Sequence, residues 1–74
     1  MPKPKKVALS QRLARNMRDY RLRRKLTQEE AASKADIDYK RWQAIEAARA
    51  NVTLKTLERI AEVLRVDPQT LLKG

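Results

Sequence analysis

The chain contains neither cysteine nor histidine among its 74 residues. Without cysteine, no disulfide and no thiolate metal site can supplement the small hydrophobic core that a chain of this length builds. Without histidine, the chain also lacks the commonest general base and the commonest metal ligand. We therefore expect no metal, no cofactor and no enzymatic activity. The absence of cysteine is compatible with the reducing cytoplasm, where we expect the protein to be located.

Glycine and long apolar runs are also scarce. The one glycine is Gly74, so the chain has no glycine-rich loop of the kind that cradles phosphate groups. No apolar run approaches the roughly 20 residues of a membrane-spanning helix. The apolar run behind the basic N-terminal residues is only Val7-Ala8-Leu9, which is too short for the core of a signal peptide. We expect no membrane partner.

Positive charge is what the chain has in excess. It carries 18 basic and nine acidic residues, a net charge of +9. Residues 1–26 hold ten basic residues and one acidic residue, a net of +9, whereas residues 27–74 hold eight of each, a net of zero. Clustered positive charge favours a polyanionic partner. The alternative is a solvated basic segment that only keeps the protein soluble.

The hydrophobic pattern predicts an all-α fold, because apolar residues recur at spacings of three and four and no segment alternates with period two. Leu13, Met17 and Tyr20 form such a stripe in the first helix. We expect residues 1–9 to form a flexible basic arm and residues 10–74 to form one domain, a compact five-helix bundle. The predicted helices cover residues 10–24, 28–35, 39–47 and 54–64, and a short fifth helix runs from Asp67 to Leu72. In the fourth helix the predicted buried residues are Leu54, Leu57, Ile60, Ala61 and Leu64.

Helix boundaries are marked by polar residues with recognised capping roles. Thr27 and Glu30 have the spacing of a capping box, in which each side chain bonds the backbone N–H of the other residue. Asp36 interrupts the second helix, and aspartate tolerates the left-handed backbone conformation better than most residues. Further N-terminal caps are expected from Ser10, Asp38, Thr53 and Asp67.

The segment LTQEEAASKADID, followed by Ile45-Glu46, resembles the helix-turn-helix of the Cro and phage-repressor (XRE-type) family. That family's pattern is approximately L-T-Q-E-E-L-A-x-x-x-G-V-S, then a recognition helix that ends in I-E. The resemblance extends over about residues 11–72. It implies a lambda-repressor-like DNA-binding domain. Small free-standing members of the family include Cro-like phage regulators, restriction–modification controller proteins and antitoxins.

The sequence departs from this pattern at positions that shape turns and core. Asp36 replaces the usual turn glycine, and Ala48 replaces a glycine after the recognition helix. Trp42 replaces a smaller aliphatic residue, while Ala31 and Ala35 replace larger apolar residues. We expect this exchange of volume between neighbours to keep the core filled.

The third helix, about residues 39–47, is the recognition helix that the resemblance implies. On a helical wheel, Asp38, Trp42 and Ile45 share one face, which we expect to pack inward, with Glu46 at its margin. The opposite face should enter the major groove of DNA; otherwise it is an ordinary solvated surface. There Gln43 suits adenine, Lys40 suits guanine, and Tyr39 suits a thymine methyl group or a phosphate. The predicted base contacts are Tyr39, Lys40, Gln43 and Ala44, with Ala47 on the same face.

Other residues are expected to hold the DNA backbone rather than to read bases. The resemblance places a DNA phosphate at Gln28, where helix two begins and free backbone N–H groups favour an anion. Arg41, Arg49 and Asn51 flank the recognition helix and are predicted backbone contacts. The lysines of the N-terminal arm either follow the duplex or form a solvated tail; they are Lys3, Lys5 and Lys6. The resemblance also implies a buried ion pair between Arg21 and Glu46.

These observations predict a sequence-specific regulator of transcription that binds double-stranded DNA at an operator. Because a monomer reads few base pairs, we expect a homodimer, with Val66, Leu71 and Leu72 in a symmetric interface. No small-molecule ligand is expected. The principal alternative is an antitoxin-type protein-interaction module with secondary DNA binding. RNA binding is compatible with the charge, but the stacking aromatic residues of single-strand readers are missing.

Overall fold

The computed structural model describes residues 8–74, which contain helices and no strand. This confirms the all-α prediction. The prediction of five α-helices was slightly wrong, because the fifth element is a 3₁₀ helix. Its hydrogen bonds span three residues, as the bond from the Thr70 backbone N–H to the Asp67 carbonyl at 2.9 Å does. Within residues 8–74 no helix is both long enough and apolar enough to cross a membrane. The elements are α1 (Leu9–Arg23), α2 (Gln28–Ala35), α3 (Tyr39–Glu46), α4 (Leu54–Leu64) and the 3₁₀ helix (Pro68–Leu72).

The first helix begins one residue earlier than the pattern predicted. Leu9 is already helical, and the N-cap is Ala8 rather than Ser10. The side chain of Gln11 accepts a hydrogen bond from the backbone N–H of Ala8 at 3.3 Å, and the Arg12 N–H that Ser10 could have capped donates to the Ala8 carbonyl at 3.0 Å. The predicted arm, with its three lysines, lies outside the described residues apart from its last two positions.

Two of the other predicted caps are formed by side-chain hydrogen bonds. Thr27 accepts from the backbone N–H of Glu30 at 3.0 Å, and Glu30 accepts from that of Thr27 at 2.9 Å. The bond from the Thr27 backbone lowers the pKa of the Glu30 carboxyl group. Thr53 caps the first turn of α4 in the same way. Asp38 and Asp67 occupy N-cap positions, but neither side chain accepts a capping bond.

The core lies between α1, α3 and α4, and it is closed by the alanines of α2. Three α2 residues are buried, Ala31, Ala32 and Ala35, and all are small. Their short side chains leave room for the indole of Trp42, which is 0% exposed. The largest fully buried side chains are those of Trp42, Met17, Ile45, Ile60, Leu64 and Leu71.

Burial at the ends of the helices departs from the predicted pattern. Leu54 is 80% exposed, although its spacing placed it in the buried stripe of α4. It is the first residue of that helix and lies at the edge of the stripe, where no neighbouring element covers it. Leu71 shows the opposite departure: it is 0% exposed and therefore unavailable to a partner subunit. Asn16 holds its segment against α1, because the Asn16 amide donates to the Leu71 carbonyl at 2.8 Å.

A buried cluster of polar side chains joins the first three helices. The Arg21 guanidinium donates to the Glu46 carboxylate through Nη2 at 2.7 Å and through Nε at 3.0 Å. The two side chains are only 10% and 4% exposed. Glu46 also accepts from the Trp42 indole at 2.6 Å and from the Gln28 amide at 3.3 Å. Arg21 uses its remaining nitrogen to donate to the Leu26 carbonyl.

Glu46→Ala should destabilise the protein strongly, because the substitution leaves a buried guanidinium without its counter-ion. The expected loss is about 3–5 kcal/mol in the free energy of unfolding. The measurement is chemical denaturation followed by the fluorescence of Trp42. Glu58→Ala, at an exposed position of α4, is the control and should change stability by less than about 0.5 kcal/mol. A Glu46→Ala protein as stable as its parent would contradict a structural role for the pair.

Within residues 8–74, four residues other than glycine adopt a positive φ angle, and each ends a helix or follows its last turn. Asp36 does so at φ 57°, which confirms the left-handed conformation predicted for it. Ala48 does so at φ 59°, at the position where the family pattern has glycine. This conformation costs a residue with a β-carbon about 1–2 kcal/mol, and alanine has no polar group to offset that cost locally.

Ala48→Gly should therefore stabilise the protein by about 0.5–1 kcal/mol, after the larger chain entropy of glycine is subtracted from the relieved strain. The matched control is Ala47→Gly, since Ala47 has an ordinary φ of −95°. There glycine should lower stability by about 0.5–1 kcal/mol. Urea denaturation of the two variants checks the opposite signs, and a destabilised Ala48→Gly protein would refute the strain argument.

Candidate nucleic-acid interface

The turn between α2 and α3 determines how α3 is presented. After Asp36 reverses the chain, the backbone N–H of Ile37 donates to the Ala32 carbonyl at 2.9 Å, as in a glycine-terminated helix. The Ile37 side chain is buried beneath the turn. On the next helix Trp42 and Ile45 face the core. The opposite side of α3 is left open to solvent.

The four predicted base-contacting residues lie along this open side. Tyr39 is 41% exposed and Lys40 is exposed, whereas Gln43 and Ala44 are half-buried. Among residues 8–74 no side-chain hydrogen bond engages the polar groups of Tyr39, Lys40 or Gln43. These groups are consequently free to bond a ligand. The partial burial of Gln43 restricts its side chain, which favours a defined direction for its amide.

Asp38 is a polar residue of this surface that the wheel assigned to the wrong side. It is exposed rather than packed inward, because its backbone (φ −57°, ψ 137°) lies outside the helix to which the wheel was extended. Its carboxylate makes no capping bond and stands next to Tyr39. A carboxylate at this place can accept from the amino group of cytosine and repels phosphate. An N-cap without a capping bond can be seen only in the structure.

The predicted backbone-contacting residues fall into two groups. Arg41 and Asn51 are brought together, since the Arg41 guanidinium donates to the Asn51 carbonyl at 3.4 Å, and Arg49 is exposed between them in the chain. Gln28 is instead the first residue of α2, and its side-chain amide donates a hydrogen bond to the Glu46 carboxylate. A carboxylate cannot donate, so the amide nitrogen must face it, and the second amide hydrogen remains available.

The interface carries both signs of charge. Residues 36–51 contain three basic residues, Lys40, Arg41 and Arg49, and three acidic residues, so their formal net charge is zero. Glu46 is buried and paired with Arg21, which leaves three exposed basic residues against two exposed acidic ones, a surface charge of only +1. The surface is therefore suited to reading donor and acceptor patterns more than to attracting a polyanion over a distance. Residues 8–74 contain no group of three or more acidic side chains placed to hold a metal ion.

Comparison with known proteins identifies the family to which this chain belongs. A model of the helix-turn-helix domain matches residues 12–72. The crystal structure of a hypothetical transcription factor, NHTF, from Neisseria is 32% identical, with a TM-score of 0.89 over 100% of this chain and 85% of that one. The wild-type restriction–modification controller protein C.Esp1396I is 29% identical, with a TM-score of 0.79 over 89% of this chain and 86% of its own.

The similarity to a second controller protein concerns the fold only, because the two sequences have low identity. C.AhdI from Aeromonas hydrophila is 24% identical, with a TM-score of 0.80 over 84% of this chain and 94% of its own. No curated protein sequence matches the chain. The domain match and the similarity to NHTF agree with the resemblance seen in the sequence. The chain belongs to the helix-turn-helix family of the Cro and phage-repressor (XRE) type.

Proposed function

We propose that the protein is a cytoplasmic regulator of transcription that binds double-stranded DNA at a specific operator, with α3 in the major groove. The observation that carries this proposal is the open side of α3. It presents Tyr39, Lys40 and Gln43 without intramolecular partners on a helix whose other side is locked into the core. A recognition helix needs both features, since base readout depends on free polar groups in fixed positions.

Each side chain has a partner of matching chemistry. The Gln43 amide can donate and accept, as the edge of adenine requires, and the Lys40 ammonium group can donate to guanine. Ala44 presents a methyl group, which suits contact with thymine. Contacts to the phosphates come from the residues at the two ends of the helix-turn-helix: Gln28 on one side, and Arg41, Arg49 and Asn51 on the other. The phosphate contacts hold the register in which the bases are read.

Replacing Gln43 should relax the preference for one base pair in each half-site. The experiment selects binding sites from random duplex DNA with the parent protein and with Gln43→Ala. Loss of a bidentate contact should reduce discrimination at that position by about 1–3 kcal/mol. Gln69→Ala, which removes an exposed glutamine from the 3₁₀ helix, is the matched control and should leave the selected site unchanged. Selection of no preferred sequence by the parent protein would refute the proposal.

We further propose that the protein binds its operator as a homodimer through an apolar groove at one end of the molecule. The interface predicted from the C-terminus cannot include Leu71, which is buried. The groove has a volume of about 300 Å³. Its rim bears Leu54, 80% exposed, and Leu9, 59% exposed. The lining residues are Leu9, Ser10, Leu13, Ala50, Asn51, Val52, Leu54, Leu57 and Leu72.

The charge of the chain supports a second copy as the occupant of this groove. Each copy carries a net charge of +9, so two copies repel one another unless their basic segments stay apart. None of the nine lining residues is charged. A two-fold contact there buries apolar side chains of both copies without bringing like charges together. It also provides the second recognition helix that a two-fold-symmetric operator requires.

Leu54→Glu should therefore convert the dimer to a monomer, because each copy would place a carboxylate in an apolar contact. The expected shift is a weakening of self-association by at least tenfold, measured by sedimentation equilibrium with and without operator DNA. Leu22→Glu is the matched control, since Leu22 is 53% exposed and lies outside the groove. Equal self-association of the two variants would show that the groove is not the interface.

A further inference from the structure

Positive charge is concentrated on α1 and the turn that follows it. Residues 8–26 contain seven basic residues and one acidic residue, Asp19, which gives a net charge of +6. Residues 27–74, which include the whole helix-turn-helix, contain eight of each and have a net charge of zero. The part of the molecule that presents the recognition helix therefore contributes none of the excess charge.

Most of this charge is exposed and unpaired. Among residues 8–74 the only ion pair joins Arg21 to Glu46, so Asp19 neutralises no arginine by direct contact. Two of the exposed cations have weak intramolecular partners. Arg15 donates to a backbone carbonyl near the C-terminus at 3.4 Å, and Arg23 lies over an aromatic ring. The exposed basic residues of this region, named here the α1 basic face, are Arg15, Arg18, Arg23, Arg24 and Lys25.

The α1 basic face is separate from the side of α1 that holds the fold together. Arg15 and Arg18 are three residues apart and share one side of the helix. Leu13 and Met17 lie on the other side, in the core. Like charges one helical turn apart repel, and Asp19 makes no ion pair with either arginine within residues 8–74. Neither arginine lies in the core or makes an ion pair within residues 8–74, and a polyanion would neutralise both.

The partner that fits is the phosphate backbone of DNA. Duplex DNA carries one negative charge about every 1.7 Å along its axis, and cations that neutralise phosphates release bound counter-ions. Arginine is suited to this contact because its planar guanidinium group matches phosphate oxygens in pairs. Residues 36–51 around α3 contain three basic residues, whereas the α1 basic face has five exposed ones and so offers more phosphate contacts that release counter-ions.

We infer that the α1 basic face is a second DNA-backbone-binding surface, distinct from the α3 interface, and that it supplies the sequence-independent part of the affinity. The inference rests on the proposed function insofar as double-stranded DNA is the ligand. The phosphates that this surface binds belong either to DNA flanking the operator or to a second duplex. The same phosphodiester group is recognised in both cases. A surface of this kind strengthens binding to operator and to other DNA by the same factor, so it leaves their ratio unchanged.

The test removes two charges from this surface. Arg15→Gln/Arg18→Gln is compared with Arg59→Gln/Arg65→Gln, which removes the same charge from exposed positions at α4. Dissociation constants are measured against potassium chloride concentration for an operator duplex and for a scrambled duplex. For the α1 variant the slope of log affinity against log salt should become less steep by about 1.8, two contacts at about 0.9 each. Affinity for both duplexes should fall by the same factor.

The control variant should keep the parental slope, and thermal melting of both variants should match the parent. Equal slopes for the two double variants would overturn the inference. Site selection distinguishes this failure from failure of the proposed function. If the parent selects a site but the slopes are equal, only the second surface is refuted. If the parent selects no site but the α1 variant still flattens the slope, the sequence-reading function is refuted and the surface stands.

Duplex length identifies the source of the phosphates. If the effect of the α1 substitutions grows as DNA is added on either side of the operator, the flanking backbone is the ligand. If the parent joins two differently labelled duplexes in solution and the α1 variant does not, the ligand is a second duplex. If the α1 substitutions already have their full effect on the shortest operator duplex, and the parent joins no two duplexes, then α1 and α3 bind the same stretch of DNA backbone. That result would overturn the inference of a separate surface.

Discussion

The buried carboxylate of Glu46 is the interaction on which the arrangement of the helix-turn-helix depends. It accepts hydrogen bonds from Arg21 of α1, from Gln28 of α2 and from Trp42 of its own helix. At 4% exposure this group has lost its hydration, so its charge must be compensated by those partners. The bonds fix α3 against its two neighbours. The direction in which the open side of α3 faces is therefore set from within the core.

The distribution of charge complements this arrangement. A recognition surface of low net charge discriminates by donor and acceptor pattern, since it does not bind every duplex tightly. The sequence-independent attraction to the phosphate backbone is assigned to the α1 basic face, whose five exposed cations lie outside the helix-turn-helix. The uncharged groove beside Leu54 is assigned to the partner copy. Base reading, attraction and dimerisation then centre on three different parts of one small domain, and Asn51 lies where the phosphate contacts border the groove.

Much of the fold followed from short-range chemistry. The capping box of Thr27 and Glu30 formed as its spacing predicted, and Asp36 adopted the left-handed turn. The errors lay at the ends of elements. Ser10 does not cap α1, because that helix already begins at Leu9. Asp38 faces solvent, because it is the N-cap of α3 and its backbone is not helical. Periodicity constrains a residue only when helical neighbours stand on both sides of it.

The sequence by itself determined where four helices lie, which face of α3 is open and which family the chain resembles, since these depend on spacings within about one or two helical turns. The tertiary structure alone decided which apolar residues at helix ends are covered. Leu71 is buried because Asn16 holds the C-terminal segment against α1, while Leu54 is exposed because no element crosses the start of α4. It also decided that Gln28 joins the Glu46 cluster. Such contacts join residues far apart in the chain, and no local pattern records them.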